Sequence, residues 1–307
     1  MFKKTLLSSL IFVSLVFAQY ERPGSTSAQF LKIDVSARGA GLAGAYIAVV
    51  EGAEGVAYNP ASIARISGSD IAATHNSWFA GINHDFLSLV HNFGRLGALG
   101  ISATTLYTDE MKVRTPLQPD GTGETFYSGS IRMGLSYARR LTNRVCFGVT
   151  LNYIQLYLYD DFHENGYTLD VSTDYRVGMR DWRLALAILN FGQSITFVNE
   201  EYPMPTMFTF GSSANLWEGE FHRLKICGSV KKPNDGAPFG QTGMELDYRH
   251  LAFLRFGYNI GHEVARFALG AGLSLKLQDT FGCRVDYSYN DHSALGAAHR
   301  LGLGISF

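Results

Sequence analysis

The sequence predicts an all-β protein: a transmembrane antiparallel β-barrel of about 14 strands with an N-terminal plug segment. Three observations carry this expectation. Side chains alternate with period two again and again from residue 69 to the C-terminus. The connections sort into tight turns on one side and longer loops on the other. The chain also opens on an export-type leader.

Composition narrows the function classes first. Lys and Arg number 26 against 27 Asp and Glu, so no basic surplus exists to neutralise phosphates, and nucleic acid is excluded as the main partner. The 33 Gly, 21 Phe and 16 Tyr, set against only 8 Pro, suit strands, tight turns and aromatic girdles better than a helical enzyme.

Residues 1–18 read as a signal peptide. Lys3 and Lys4 form a positive start, Leu6 to Phe17 form the apolar core, and Val16 and Ala18 supply the small residues a signal peptidase reads. The apolar run is shorter than the roughly 20 residues a membrane helix needs, and no later run reaches that length. No Cys follows Ala18 directly, so lipid anchoring is not indicated. Cys146, Cys227 and Cys283 are odd in number, widely spaced and set in strand-like runs, which reads as packing rather than metal binding.

Residues 69–307 form the expected barrel domain. Strands are placed near 69–79, 82–93, 96–107, 127–140, 144–158, 167–177, 182–191, 206–216, 221–231, 240–249, 252–260, 265–277, 280–290 and 298–307. Leu301, Leu303, Ile305 and Phe307, alternating with Arg300, Gly302, Gly304 and Ser306, show the pattern at its cleanest. Tight connections follow the even-numbered strands, as at Gly94-Arg95 and His250-Leu251. Longer ones follow most odd-numbered strands: residues 108–126, 159–166, 192–205, 232–239 and 291–297. A soluble sandwich has no reason to sort its loops in this way; a membrane barrel keeps its tight turns periplasmic.

Alternation assigns the charged residues Arg132, Asp170, Asp174, Arg176, Arg183, Arg223, Lys225, Glu245, Asp247, Lys276, Arg284 and Asp286 to the lumen face. A slip of one residue would turn such charges toward lipid, at about 2–4 kcal/mol for an Arg or Lys at the membrane midplane. Charges of both signs facing a lumen read first as a solvated or cross-paired wall, and second as a selectivity filter.

Residues 19–68 lack sustained alternation and read as a plug. Gly39-Ala40-Gly41-Leu42-Ala43-Gly44 matches GxGxxG, but no βαβ pattern surrounds it, so close backbone packing is the better reading than a dinucleotide site. Asn59-Pro60 predicts a short capped helix: Asn59 as N-cap, Pro60 preset for the first turn and Gly68 as the stop.

These same residues carry a family resemblance. Phe30-Leu31-Lys32-Ile33, Ala37-Arg38-Gly39-Ala40-Gly41-Leu42-Ala43-Gly44-Ala45 and Tyr58-Asn59-Pro60-Ala61 resemble the start of PorV/PorQ proteins. The ending, from His299 to Phe307, is similar to that family's closing strand. PorV/PorQ proteins are similar in turn to FadL-type transporters, which also carry an Asn-Pro-Ala motif.

The resemblance implies a barrel in the bacterial outer membrane whose N-terminal segment, with Arg38, Gly39, Gly41, Gly44, Asn59 and Pro60, folds into the lumen. It implies a non-enzymatic accessory or scaffold of type IX secretion, with outer-membrane lipid and secretion-system proteins or secreted cargo as partners. The alternative it implies is a FadL-like channel for small hydrophobic solutes. Phe307 resembles the terminal aromatic signal that the outer-membrane assembly machinery reads. HExxH, GxSxG and Walker motifs are absent, and no catalytic, cofactor-binding or metal-ligating residue is expected.

Overall fold

The computed structural model describes residues 22–159, 162–197, 199–261, 265–276 and 281–307; the expected signal peptide lies outside them. Fourteen strands close on themselves in sequence order: β1 (Gly68–Ser77), β2 (Ile82–Asn92), β3 (Ala98–Thr108), β4 (Gly129–Arg140), β5 (Val145–Tyr159), β6 (Phe162–Arg176) and β7 (Arg183–Gly192) form the first half. The second half comprises β8 (Met207–Glu218), β9 (His222–Pro233), β10 (Phe239–Tyr248), β11 (Ala252–Ile260), β12 (Phe267–Lys276), β13 (Gly282–Asp291) and β14 (Ala297–Ser306).

Every pairing is antiparallel, and β1 meets β14 in register from Asp70↔Ser306 to Ser77↔His299. Phe307 completes that seam. Its N–H donates to the Ser69 carbonyl at 3.0 Å, and its own carbonyl accepts from Ser69 N–H at 2.6 Å. Closure leaves no sheet edge, and a hydrocarbon environment tolerates only such fully paired backbone. Along β14, Leu301, Leu303 and Ile305 face outward and exposed, while Arg300 and Gly302 are buried inside. The outer surface is apolar because water is not its solvent.

Three local features differ from the sequence expectation. The reversal placed at 159–166 is much tighter: β6 reaches back to Phe162, which pairs with Tyr159. Polar residues such as His163 and Asn165 prolong the ladder because pairing uses backbone groups, and side chains beyond the bilayer need not be apolar. The long connections after β3 and β7 contain small hairpins, Met111–Lys112 with Thr125–Phe126 and Ile195–Phe197 with Glu200–Tyr202. Finally, Asn59 precedes a 3-10 turn, Pro60–Arg65, but its side chain does not cap it. The Asn59 amide instead donates to the Ile47 carbonyl at 3.0 Å, tying two stretches of the plug together.

Residues 22–67 thread through the lumen. The 3-10 turn Gln29–Lys32 lies at the long-loop end, where Phe30 packs with Ile154, Ile195 and Met204. A short helix, Ala37–Gly41, lies against β11 to β14, and Pro60–Arg65 lies against β4 to β6. Ser36 caps that helix, accepting from Gly39 N–H at 3.0 Å. Gly41 brings its backbone so close to β12 that a Cβ would lie 3.0 Å from Gly270 Cα. Gly44 turns the chain with φ of 81°, a conformation that suits glycine. Small residues let the plug lie flush against the wall, and Leu42, Tyr46, Val49, Val56 and Ile63 form its apolar core.

Candidate functional site

Inside the lumen, in the half nearer the tight turns, an ion-pair chain joins plug and wall. Arg38 Nε donates to Glu245 Oε2 at 2.8 Å, and its Nη2 donates to Oε1 at 2.7 Å. Arg255 donates to Glu245 Oε2 at 2.7 Å and to Asp286 Oδ1 at 2.6 Å. Arg284 binds Asp286 Oδ2 at 2.6 Å and approaches Glu54 at 3.3 Å, while Tyr46 donates its hydroxyl to Glu54. Three guanidiniums thus alternate with three carboxylates. Such a chain is worthwhile only because each charge is matched; deletion of one partner leaves the other buried and unpaired.

The remaining predicted lumen charges fall into smaller sets. On the inner wall Arg132 reaches Asp170 at 2.9 Å, with Asn152 bridging both. Asp174 takes Arg65 of the plug in an ion pair. Arg176 and Arg183 hold Glu51 of the plug, and Arg183 and Lys225 share Asp181 from the turn end. Arg223 meets Asp247 at 2.8 Å. Lys276 stands exposed at the turn end of β12. Phe307 is exposed at the same end, on the outward register of β14.

Several residues of the network are not among the charges that the sequence assigned to the lumen. Arg255 has the alternation signal, since Leu254, Phe256 and Tyr258 face outward around it. Glu51, Glu54 and Arg65 have none, because the plug lacks a period that assigns faces.

At the long-loop end plug and wall leave between them a vestibule of about 730 Å³. Ile33, Trp78, Phe79, Met207, Phe239 and Leu295 contribute apolar surface to it. Trp78 packs on Phe79 and on His292, with ring centroids 4.9 and 4.7 Å apart. Lys32, Asp34, Lys231, Asp235 and Arg300 also line it. One edge is a latch: Asp235, in the β9–β10 loop, accepts from Lys32 at 2.6 Å, Thr26 at 2.7 Å and Gln29 at 3.1 Å. Burial alone would raise the Asp235 pKa, but these hydrogen bonds outweigh it and hold the carboxyl below its ordinary range. Below the vestibule, between plug and wall, an internal cavity of about 50 Å³ is lined in part by Ile47, Leu189, Met207 and Arg132.

Residues 16–155 match the profile of an uncharacterised protein family, UPF0164. No curated protein matches the chain significantly. Among solved structures, the barrel is similar to CymD, a monoaromatic hydrocarbon channel, with a TM-score of 0.60 at 13% identity over 89% of this chain and 97% of that one. It is similar to the Pseudomonas putida toluene transporter TodX, with a TM-score of 0.58 at 9% identity over 95% and 98%. A Pseudomonas aeruginosa FadL homologue gives a TM-score of 0.55 at 9% identity over 89% and 98%. The likeness is one of fold: this chain has the architecture of FadL-like outer-membrane barrels.

Proposed function

We propose that this chain is a plugged outer-membrane channel that takes up small hydrophobic molecules at its long-loop, cell-exterior end. The observation that carries this reading is the vestibule, an aromatic and aliphatic hollow between plug and wall in a barrel of FadL-like fold. An apolar solute leaving the aqueous side gains by burial against Trp78, Phe79 and Leu295. The fold relatives named as hydrocarbon and toluene channels support the same reading. Uptake of labelled toluene into cells expressing the protein, against cells expressing Trp78→Ala, tests it. Saturable uptake that falls in the variant supports the channel; uptake equal to that of cells lacking the barrel sinks it.

A second reading rests on the locked plug. Ion pairs tie it to β6, β7, β10 and β13, which suits a barrel that presents a surface more than one that conducts. Under that reading the chain is a PorV/PorQ-like accessory of type IX secretion, with secretion-system proteins or secreted cargo as partners. Native co-purification from outer membranes separates the two. Recovery of secretion components favours the scaffold, and their absence together with an unchanged surface proteome on deletion removes it.

A further inference from the structure

At the long-loop end of β1 to β3 the outward face of the wall carries a polar set. His75 and Ser77 lie two residues apart on β1, so both point away from the lumen, and Asp85 stands directly opposite His75 on β2. His75 Nδ1 lies 2.7 Å from Asp85 Oδ1, and His75 Nε2 lies 3.3 Å from Ser77 Oγ. Tyr107 of β3 donates its hydroxyl to Asp85 Oδ2 at 3.1 Å, so the carboxylate is held on both oxygens. The His75 and Asp85 side chains are 53% and 39% exposed, and Ser77 is exposed beside them.

A hydroxyl, an imidazole and a carboxylate in one line, with a different ring nitrogen for each neighbour, is the arrangement that turns serine into a nucleophile. The carboxylate keeps the ring proton on Nδ1 and leaves Nε2 free to accept the hydroxyl proton. No GxSxG motif surrounds Ser77; strand register brings the three residues together. Asn83, on the same outward face as Asp85, stands opposite Ser77 and offers an amide donor to the oxygen of an attacked carbonyl. Depth selects the substrate. A strand of about ten residues spans the hydrocarbon, so Ser77, the last residue of β1, lies near the outer interface, where the ester bonds of membrane lipids lie. One step deeper on the same face, Ala73 lies between the exposed Leu87 and Leu303, an apolar bed for acyl chains.

We propose that Ser77, His75 and Asp85 form an acyl-ester hydrolase site on the lipid-facing wall, separate from the vestibule, and that its substrate is an acyl ester of a lipid in the surrounding leaflet. Ser77 Oγ attacks the ester carbonyl carbon as its proton passes to His75 Nε2. The bond from that carbon to the alcohol oxygen then breaks, and His75 gives the proton to the departing oxygen. Interfacial water, losing a proton to His75, cleaves the acyl-Ser77 ester and releases the fatty acid, and the proton returns to Ser77 Oγ. Asp85 is a positioning residue that acts through His75.

The test uses the folded full-length barrel in detergent, a fluorophosphonate probe, and phosphatidylethanolamine in mixed micelles. The expected result is covalent labelling of Ser77, mapped by mass spectrometry, together with release of fatty acid. Both are expected to vanish in Ser77→Ala and in His75→Ala. Asp85→Asn is expected to lower kcat at least about a hundredfold with KM little changed, a split that a purely structural role would not give. The compact band in gel electrophoresis verifies each barrel, and the wild type decides even where a variant does not fold. A folded wild-type barrel that leaves the probe unreacted or releases no fatty acid overturns the site, as does release that persists in Ser77→Ala. Toluene uptake is expected to be unchanged in Ser77→Ala, so this site and the channel reading stand or fall separately.

Discussion

Arg38 of the plug and Glu245 of β10 face each other as a two-point ion pair, with contacts of 2.8 and 2.7 Å. The pair spans 207 positions of sequence and ties the threaded segment directly to the wall.

Glu245 therefore holds two arginines, Arg38 and Arg255, and both lose their common partner in Glu245→Ala. Breaking a buried pair from one side costs about 3–5 kcal/mol. The variant is expected to unfold at markedly lower temperature, read as the loss of the compact band in heat-modified gel electrophoresis. Arg223→Ala is expected to cost less, since Arg223 is 32% exposed and Asp247 keeps its bonds from His250.

Two wall glycines admit the plug backbone. A Cβ on Gly148 would lie 2.3 Å from Ala61 N, and one on Gly257 would lie 2.3 Å from Ala43 N. Backbone atoms cannot rotate away, so Gly148→Ala and Gly257→Ala are expected to displace the plug, at about 1–3 kcal/mol each. Planar-bilayer conductance should rise in both. Gly129→Ala serves as the control, because its nearest contact is the Leu106 carbonyl at 3.4 Å.

The latch at Asp235 is pH-dependent with a definite sign. Its folded pKa is depressed, so its contribution is fully present above the unfolded value, about 3.9, and is lost as pH falls through the folded value. At neutral pH, residues 26–32 stay docked; in stronger acid they release. Limited proteolysis by pepsin across acid pH should reveal this release, whereas Asp235→Asn should leave the segment equally sensitive at all acid pH values.

Phe307 closes the β1–β14 seam through its backbone, which Phe307→Ala retains. Refolding into detergent is therefore expected to proceed as in the wild type. Barrel yield in the outer membrane is expected to drop if the ring is the assembly signal; an unchanged cellular yield would remove that role.

The strands were legible because two facing solvents, lipid outside and packed polar lumen inside, force a period of two along most of each strand, broken only at local bulges such as that between Asn215 and Trp217. Leu301, Leu303 and Ile305 could not exchange faces with Arg300 and Gly302 without placing charge in hydrocarbon. The extension of β6 to Phe162 was not legible, since beyond the bilayer that selection lapses and only backbone pairing remains. Asn59 shows a different limit. Its type and position suit a cap, but a buried carbonyl at Ile47 competes for the same amide and takes it.

By itself, the sequence determined the barrel, its strand number, its two ends and which side of each strand faces in, because each of these follows from local alternation and turn chemistry. Tertiary structure alone decided that Arg38 would find Glu245 and that Glu54 would find Arg284. Those pairings depend on strand register around a closed circle and on the path of a plug without periodicity. Neither is written in any short stretch of residues.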